Sequence, residues 1–232
     1  VLVGMSGGVD STTSAFLLKQ MGHEPVGINL VLNGDSSSAA GAERCAEYLG
    51  IEFHAVDMSD EFARRVKTPF AESYLSGETP NPCIICNREI KFGLMMELME
   101  KYGCEKLATG HYVGSEYSEK YGQYVLKKGV DPGKDQSYFL WEIDSDRLSK
   151  TVFPLAGLIK PQVREIAQAQ GLPCAHSTES QDVCFIPDGD CAAFIARFTG
   201  KKPVPGKFID TSGKVLGTHR GIAAYTVGQR KG

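Results

Sequence analysis

The first quarter of the chain alternates between short apolar runs and segments with helical spacing of apolar residues. Residues 1–3 form an apolar run that stops at a glycine-rich turn. Residues 11–21 carry apolar side chains at helical spacing, and Gly22 is placed to end that helix. Further along, the same alternation predicts a strand over 25–32, a helix over 43–49 and a strand over 51–56. This order predicts parallel strands joined by right-handed crossovers, with helices on both faces of the sheet.

The rest of the pattern predicts more helices, a hairpin and a second domain. Helices are predicted over 61–75, 87–102 and 161–170, a strand over 106–109, and a hairpin over 112–128. Two prolines within residues 79–82 predict that this stretch is not helical. After residue 187, glycines and prolines separate short runs such as 207–209 and 213–216. We therefore predict a doubly wound α/β domain over residues 1–186 and a small β-containing domain over 187–232.

Composition narrows the class of protein. The 232 residues are 42% hydrophobic and 23% charged, which is typical of a folded globular chain and argues against disorder. No uninterrupted apolar stretch approaches the roughly 18 residues of a membrane span, and no secretory signal pattern is present. The seven cysteines are therefore interpreted as reduced, cytoplasmic thiols, among which a close pair suggests metal binding or redox chemistry.

Charge is distributed unevenly along the chain. The net charge is −3, yet from Arg197 to the end there are eight Lys and Arg residues against one Asp. A basic segment on an acidic body is compatible with a polyanionic partner, and equally with an ordinary solvated face. Charge alone leaves both interpretations open.

A loop rich in glycine and hydroxyl groups joins the first predicted strand to the first predicted helix. Its residues 4–11 read Gly-Met-Ser-Gly-Gly-Val-Asp-Ser. Glycines let backbone N–H groups approach an anion, and a helix N-terminus adds partial positive charge. The loop has neither the lysine of a Walker P-loop nor the G-x-G-x-x-G spacing of a dinucleotide site. It predicts a phosphate loop of another kind, with a serine-capped glycine turn as the structural alternative.

This loop resembles the pyrophosphate loop of the N-type ATP-pyrophosphatase superfamily. The resemblance implies an adenine nucleotide alpha hydrolase-like fold and cleavage of ATP to AMP and pyrophosphate, usually to adenylate a carbonyl oxygen. It also implies that Asp10 helps to place Mg²⁺. The implied phosphate-binding residues are Gly4, Met5, Ser6, Gly7, Gly8, Val9, Asp10 and Ser11. Leu30 and Gly110 complete the ATP site as positions lining the adenosine pocket, and these two are implied by the more specific resemblance described next.

Six further blocks, in order along the chain, resemble the tRNA-specific 2-thiouridylase family. They are residues 79–87, 90–92, 108–112, 134–138, 180–185 and 225–230. The resemblance implies a tRNA-uridine 2-sulfurtransferase that adenylates O2 of the wobble uridine and inserts sulfur carried on a cysteine. It implies tRNA as substrate, a cysteine desulfurase or sulfur-carrier protein as donor, and a cytoplasmic monomer with no membrane association.

The family's roles can be carried onto this chain by matching blocks. Cys86 matches the nucleophilic cysteine and Cys184 the cysteine that receives sulfur as a persulfide. These two would be close in space and could form a disulfide once sulfur has left. The positions implied to contact tRNA are Asn81, Pro82, Cys83, His111, Lys134, Asp135 and Gln136. A proline-stiffened loop at the start of a helix would supply the partial positive charge that a reactive thiolate needs.

Cys83 departs from the family pattern, because many members have Asp there as a candidate general acid or base. A thiol does not replace a carboxylate at neutral pH unless its pKa falls strongly. Cys83, Cys86 and Cys184 could instead hold a [4Fe–4S] cluster with one open position, whereas structural zinc would require four ligands. Persulfide relay and an iron–sulfur mechanism both remain open at this point.

Two other functions remain open from sequence alone. One is a ligase or amidotransferase of the same superfamily that acts on a small molecule, which would need neither Cys86 nor Cys184. The other is a nucleotide-binding module without chemistry. The resemblance also implies a C-terminal β-barrel after the block at 225–230, which these 232 residues do not include.

Overall fold

The computed structural model of the chain describes residues 1–35, 37–177 and 183–230. The chain forms two compact units. The first comprises Val1–Phe62 and Ile84–Glu179, and the second comprises Ala63–Cys83 and Ser180–Gly232. The second unit therefore combines an internal segment with the C-terminal part of the chain.

Regular structure alternates along the chain as follows. The strands are β1 (Leu2–Gly4), β2 (Val26–Val31), β3 (Phe53–Asp57), β4 (Leu107–Ala108), β5 (Val113–Ser118), β6 (Gln123–Lys128), β7 (Thr151–Val152), β8 (Gly206–Ile209) and β9 (Val215–His219). The α-helices are α1 (Val9–Gln20), α2 (Ser37–Leu49), α3 (Ser59–Phe62), α4 (Thr68–Leu75), α5 (Pro82–Cys86), α6 (Met95–Lys101), α7 (Ser145–Ser149), α8 (Lys160–Ala169) and α9 (Cys191–Thr199). Ala63–Lys67 and Asn87–Leu94 are π-helical, and Ser137–Leu140 and Ile222–Ala224 are 3-10 turns.

The first unit is built on a parallel sheet, as the sequence pattern predicts. Among the described residues its strand order is β3-β2-β1-β4-β7, and every neighbouring pair is parallel. The chain proceeds outward from β1 to β3 and then returns to the other side of β1 through β4. Strand order therefore reverses between β1 and β4, and in open α/β sheets this reversal point is where ligands bind.

Alternating side chains of β1 separate two apolar cores. Val3 belongs to a buried cluster with Leu18 of α1 and Val163 of α8, whereas Leu2 belongs to a cluster with Phe92 and Leu98. Successive residues of a strand point to opposite faces of the sheet, so each face is covered by its own helices. The predicted doubly wound arrangement is confirmed.

Several element boundaries differ from the sequence-based prediction. Pro82, placed in a non-helical stretch, is in fact the first residue of α5. Proline is well tolerated there, because the N–H group that it lacks would have no helical partner in the first turn. The predicted helix over 61–75 is a succession of α3, the π-helical turn Ala63–Lys67 and α4. Helix α2 begins at Ser37, six residues before the predicted start at 43.

The second unit contains a helix that the pattern did not predict. Helix α9 is capped by Asp190, whose carboxylate accepts a hydrogen bond from the Ala193 N–H at 2.9 Å. Its Phe194 lies in an aromatic cluster with Phe70 of α4 and Phe185, at ring distances of 6.1 and 5.1 Å. This packing stabilises a short helix whose isolated propensity would be marginal.

The predicted β-structure near the C-terminus is confirmed as a hairpin. Strands β8 and β9 are antiparallel, with a register shift between Phe208 and Ile209. In the parts of the chain that the structure describes, no helix is long and apolar enough to cross a membrane.

Candidate functional site

The glycine loop lies at the point where the strand order reverses. It leaves the end of β1 at Gly4 and enters α1 at Val9, while residues 109–111 leave the neighbouring strand β4. Gly110 is in close contact with the start of α1, since a Cβ on it would lie 3.1 Å from the Asp10 carbonyl carbon and 3.1 Å from the Ser11 nitrogen. The two loops therefore form one surface at the carboxyl edge of the sheet, and a side chain at position 110 would press tightly on the backbone of α1.

Serine hydroxyls hold the loop in shape. The Ser6 N–H donates to the Ser11 hydroxyl at 3.1 Å, and the Ser11 hydroxyl donates to the Gly8 carbonyl at 3.2 Å. The Gly8 N–H in turn donates to the Ser6 hydroxyl at 3.4 Å. Gly8 is the N-cap residue of α1 and has no side chain with which to cap it. The N–H groups of the first helical turn are thus directed toward the loop, as an anion site requires.

Gly7 occupies a position that other residues would strain. Its φ of +78° lies in the left-handed region, and a Cβ there would come within 2.8 Å of the Ala42 backbone nitrogen in α2. The loop consequently packs directly on the α2 backbone. Both effects require glycine at this position.

The base of the loop is tied to strand β2. The Met5 N–H donates to the Ile28 carbonyl at 2.7 Å, and the Asn29 amide donates to the Met5 carbonyl at 2.7 Å. Leu30, placed by resemblance in the adenosine pocket, lies near the carboxyl end of β2 and is partly buried. These contacts join the predicted nucleotide residues to the central strands.

Asp10, in the first turn of α1, has two partners that the sequence analysis did not identify. The Lys160 ammonium lies 2.7 Å from each carboxylate oxygen of Asp10, and the Tyr112 hydroxyl donates to Asp10 Oδ1 at 2.7 Å. Lys160 is separated from Asp10 by 150 residues, so no local motif links them. One indication was available: Lys160 opens helix α8, where a cation opposes the helix dipole.

The cysteines of the C-x-x-C pair occupy different environments. Cys83 is exposed and Cys86 is buried. The Asn81 side chain accepts a hydrogen bond from the Cys83 N–H at 3.1 Å, which caps the start of α5. The expected helix start next to the cysteines is therefore present. A π-helical segment begins immediately after Cys86, and such segments are frequent at functional sites.

In the second unit, Cys184 is exposed and lies near a lysine. Burial lowers the pKa of the Lys67 ammonium, and the negative charge of a Cys184 thiolate raises that pKa in part, so the two side chains interact. A neighbouring ammonium group favours the thiolate form of a cysteine. This neighbour is a second feature that the sequence motifs did not indicate.

Comparison with known proteins identifies the family. Residues 1–188 match the model described as tRNA methyl transferase HUP domain, and residues 192–232 match the tRNA methyl transferase PRC-barrel domain. The chain is 45% identical to a protein named tRNA-specific 2-thiouridylase MnmA 1 from Caldanaerobacter subterraneus subsp. tengcongensis, over all of this chain and 68% of that protein. This chain belongs to the tRNA-specific 2-thiouridylase family. Its identity to the thiouridylase MnmA from Syntrophomonas wolfei is 47%, again over all of this chain and 68% of that relative.

A solved structure supports the fold of this thiouridylase-family chain. A structure titled as a 4-thiouridine synthetase–RNA complex with bound ATP matches with a TM-score of 0.56 at 16% identity. The match covers 81% of this chain and 44% of that one. At this level of identity the likeness concerns the fold alone.

The positions at which the thiouridylase resemblance implies tRNA contacts also have structural partners. Asp135 accepts hydrogen bonds from the Gly129 N–H at 2.9 Å and the Ser137 hydroxyl at 2.8 Å. The Gln136 side chain accepts a hydrogen bond from the Tyr112 N–H at 2.9 Å, and Tyr112 is the residue whose hydroxyl contacts Asp10. Lys134 belongs to the same turn, and Pro82 is buried at the start of α5. Roles of these residues toward tRNA stay predictions.

His111, another of these positions, is buried and neutral. Its Nδ1 lies 2.7 Å from the Thr109 hydroxyl. Burial, with a further contribution from the charge of Lys91, holds the pKa of His111 well below its ordinary value of 6.5. The side chain is therefore a neutral hydrogen-bonding group within the turn after β4 and carries no charge at neutral pH.

We expect His111 to make the stability of this thiouridylase-family protein depend on pH. Below about pH 6.5 the unfolded chain binds a proton that the folded chain rejects, so the free energy of unfolding falls as pH falls. The expected slope from this residue is about 1.4 kcal/mol per pH unit. Urea unfolding between pH 5 and 7.5 measures it, and His111→Asn should remove it. The matched variant His23→Asn changes an exposed histidine and should leave the slope as it is; an unchanged slope in His111→Asn would contradict the assignment.

Proposed function

We propose that this protein converts the wobble uridine of tRNA to 2-thiouridine at the expense of ATP. The observation that carries the proposal is similarity over the whole chain to proteins named tRNA-specific 2-thiouridylases. The phosphate loop at the strand-order reversal and the cysteines at positions 86 and 184 supply the groups that this chemistry requires.

In the proposed first step, the Gly4–Ser11 loop binds the phosphates of ATP. O2 of the uridine attacks the α-phosphorus, pyrophosphate leaves, and O2 becomes part of an adenylate leaving group. The N–H groups of the first turn of α1 are suited to the negative charge that develops on the phosphates.

In the proposed second step, sulfur arrives as a persulfide on Cys184. Its terminal sulfur attacks C2 of the uridine, and AMP leaves with the former O2. The Cys86 thiolate then attacks the Cys184 sulfur, which releases 2-thiouridine and leaves a Cys86–Cys184 disulfide. A dithiol reductant from outside restores both thiols, and a cysteine desulfurase or sulfur-carrier protein reloads Cys184.

The described residues are poorly arranged to hold the two metal cofactors that the resemblance raised, a [4Fe–4S] cluster and Mg²⁺ on Asp10. Nowhere in the part of the chain that the structure describes do three or more His, Cys, Asp or Glu side chains come together so that they could hold a metal ion. Both carboxylate oxygens of Asp10 are engaged by Lys160, which leaves Mg²⁺ no ready carboxylate there. No step is therefore routed through a [4Fe–4S] cluster or through Mg²⁺ on Asp10.

The proposal also covers tRNA recognition, cellular location and oligomeric state. We propose that the substrate tRNA is recognised through the loop before α5 and the turn at 134–136, and that the basic C-terminal segment faces the RNA. Cytoplasmic location and action as a monomer follow from the same family interpretation. Binding to tRNA should weaken steeply with salt, because phosphate contacts release counterions.

Release of AMP from ATP tests the proposed reaction. We expect tRNA with an unmodified wobble uridine to stimulate AMP formation, and 2-thiouridine to appear in nucleoside digests when a sulfur donor is supplied. A small-molecule ligase of the same superfamily would form AMP without tRNA, and a binding module would form none. A tRNA whose wobble position is cytidine is the control substrate, and equal stimulation by it would contradict the proposal.

A further inference from the structure

Two cysteines that the proposed reaction does not use lie together in the core of the first unit. Cys45 belongs to α2 and Cys174 to the segment that follows α8, and these residues are only 2% and 3% exposed. Both lie in the buried apolar cluster that also contains Leu18 of α1 and Val163 of α8. The two thiols share a hydrogen bond. The fold therefore brings them together as a pair, although they are far apart along the chain.

A further contact holds the two segments of this pair against each other. Tyr48 lies one turn after Cys45 in α2, and its hydroxyl donates to the Gln170 carbonyl at 2.8 Å. The chain packs closely there, since a Cβ on Gly171 would lie 3.1 Å from the Tyr48 hydroxyl oxygen. Cys174 follows Gln170 by four residues. The contact between the thiols is thus supported by the packing of α2 on the end of α8.

The two thiols differ in acidity. The hydrogen bond with Cys174 lowers the pKa of Cys45 to about 6, against the opposing effect of burial, and the same bond raises the pKa of Cys174. Thiolates are the form of cysteine that peroxides oxidise, and a neighbouring thiol then completes a disulfide. Because both residues are buried, the oxidant must be small and uncharged, and hydrogen peroxide meets both conditions. The pair therefore consists of a peroxide-reactive cysteine and a cysteine placed to resolve it.

Helix α2 also supports the phosphate loop. Gly7 lies so close to α2 that a Cβ on it would be 2.8 Å from the Ala42 nitrogen. Ala42 is three residues before Cys45, on the same face of the helix. A disulfide joins its sulfurs at about 2.05 Å, which is much closer than two hydrogen-bonded thiols approach. Drawing Cys45 toward Cys174 therefore moves the part of α2 on which the loop rests.

We propose that hydrogen peroxide converts Cys45 and Cys174 to an internal disulfide, and that this disulfide lowers the affinity of the phosphate loop for ATP. The effect on ATP rests on the proposed function, because it assumes that ATP occupies the loop. Formation of the disulfide does not depend on that assumption.

The oxidation takes two steps. The Cys45 thiolate attacks one oxygen of the peroxide, the O–O bond breaks, and hydroxide leaves and is protonated, so that Cys45 becomes a sulfenic acid. The Cys174 sulfur then attacks the Cys45 sulfur, the S–O bond breaks, and the departing hydroxide takes the Cys174 proton to form water. Two electrons pass from the two sulfurs to the peroxide, and a dithiol reductant from outside restores both thiols.

Peptide mapping of the full chain tests the disulfide directly. Wild type is treated with hydrogen peroxide, blocked with N-ethylmaleimide and digested without reductant, and should yield peptides joined through Cys45 and Cys174. The joined peptides should be absent from Cys174→Ala. Cys104→Ala removes a half-buried cysteine of the same unit and should retain them. Recovery of Cys45 and Cys174 as unlinked thiols, once the exposed Cys83 is fully oxidised, would overturn the proposal.

Calorimetric titration with ATP measures the consequence for the loop. Peroxide-treated wild type should bind ATP about tenfold more weakly than the reduced protein, because small displacements of binding groups are costly, and dithiothreitol should restore the affinity. Cys45→Ala and Cys174→Ala each prevent the disulfide, so peroxide should leave their ATP affinities within about twofold, and either variant suffices if the other folds poorly. A linked protein that binds ATP as the reduced protein does would contradict the effect on the loop. An equal peroxide-dependent loss in Cys174→Ala would contradict its assignment to this disulfide.

These measurements also separate the inference from the proposed function. If the disulfide forms and weakens ATP binding but no 2-thiouridine is formed with tRNA, the proposed function fails and the disulfide assignment stands. If 2-thiouridine is formed but Cys45 and Cys174 never become linked, the disulfide assignment fails alone. A reduced wild-type chain that does not bind ATP contradicts both the proposed function and the effect on the loop.

Discussion

Replacing either Cys86 or Cys184 with alanine is expected to reduce 2-thiouridine formation to background while ATP binding is retained. Each thiol has a separate task in the proposed reaction: Cys184 carries the incoming sulfur, and Cys86 releases the product from it. Neither residue belongs to the phosphate loop, which is held by its own hydrogen bonds through Ser6 and Ser11. Thiolation is measured by nucleoside digestion and mass spectrometry, and ATP binding by calorimetry.

Matched cysteines provide the controls for this pair. Cys104→Ala changes a half-buried cysteine of the first unit, and Cys191→Ala changes one of the second. Both should retain thiolation, since neither matches a catalytic position. Cys86 is buried, so the unfolding midpoint of the Cys86→Ala protein should be measured to check that the variant folds. The Cys86→Ser protein, which keeps a polar group of similar size at this position, should be measured beside it. Retained thiolation in Cys86→Ala or Cys184→Ala would contradict the catalytic assignment.

Cys83 separates persulfide relay from an iron–sulfur mechanism. In the relay the Cys83 thiol carries no sulfur, so Cys83→Ser should retain thiolation and anaerobically purified protein should contain no stoichiometric iron or acid-labile sulfide. A cluster held by three cysteines would lose both its iron and its activity in Cys83→Ser. Because Cys83 is exposed at the start of α5, the Cys83→Ser substitution should change the stability of the fold little.

The central sheet could be predicted from sequence because its signals are local. Each apolar run of the first unit is bounded by a turn residue, and the order of strands and helices leaves few topologies. The loop could be predicted for the same reason, since its glycines and serines are consecutive. Errors occurred where a signal was ambiguous: the prolines near α5 indicated a break, yet Pro82 begins a helix.

The partners of the loop could not be predicted, because they come from distant parts of the chain. Lys160 meets Asp10 through the packing of α8 against α1, and an unfavourable lysine at a helix start does not reveal which residue is its partner. Likewise, His111 was matched to a tRNA contact by its motif, whereas its burial and low pKa depend on packing. Motifs locate the chemistry along the chain, and tertiary contacts determine which side chains tune it.

Replacing Gly7 with alanine is expected to weaken ATP binding at the phosphate loop strongly as well as to destabilise the first unit. The left-handed backbone at Gly7 would cost alanine about 1 kcal/mol. In addition, the new Cβ would come within 2.8 Å of the Ala42 nitrogen and 2.9 Å of the Gly41 carbonyl carbon, so the loop must move away from α2. Displacement of loop N–H groups by about 1 Å should reduce ATP affinity at least tenfold. Calorimetric titration with ATP and urea unfolding measure the two effects.

Gly22 provides a control that separates backbone strain from steric contact. Its φ is +84°, close to the +78° of Gly7, but a Cβ there would meet no atom within 4 Å. Gly22→Ala should therefore lose about 1 kcal/mol of stability from strain and keep full ATP affinity. A Gly7→Ala variant that matches Gly22→Ala in both measurements would show that contact with α2 does not set the shape of the phosphate loop. The difference between the two variants isolates the contribution of that contact, because both carry the same new methyl group on a left-handed backbone.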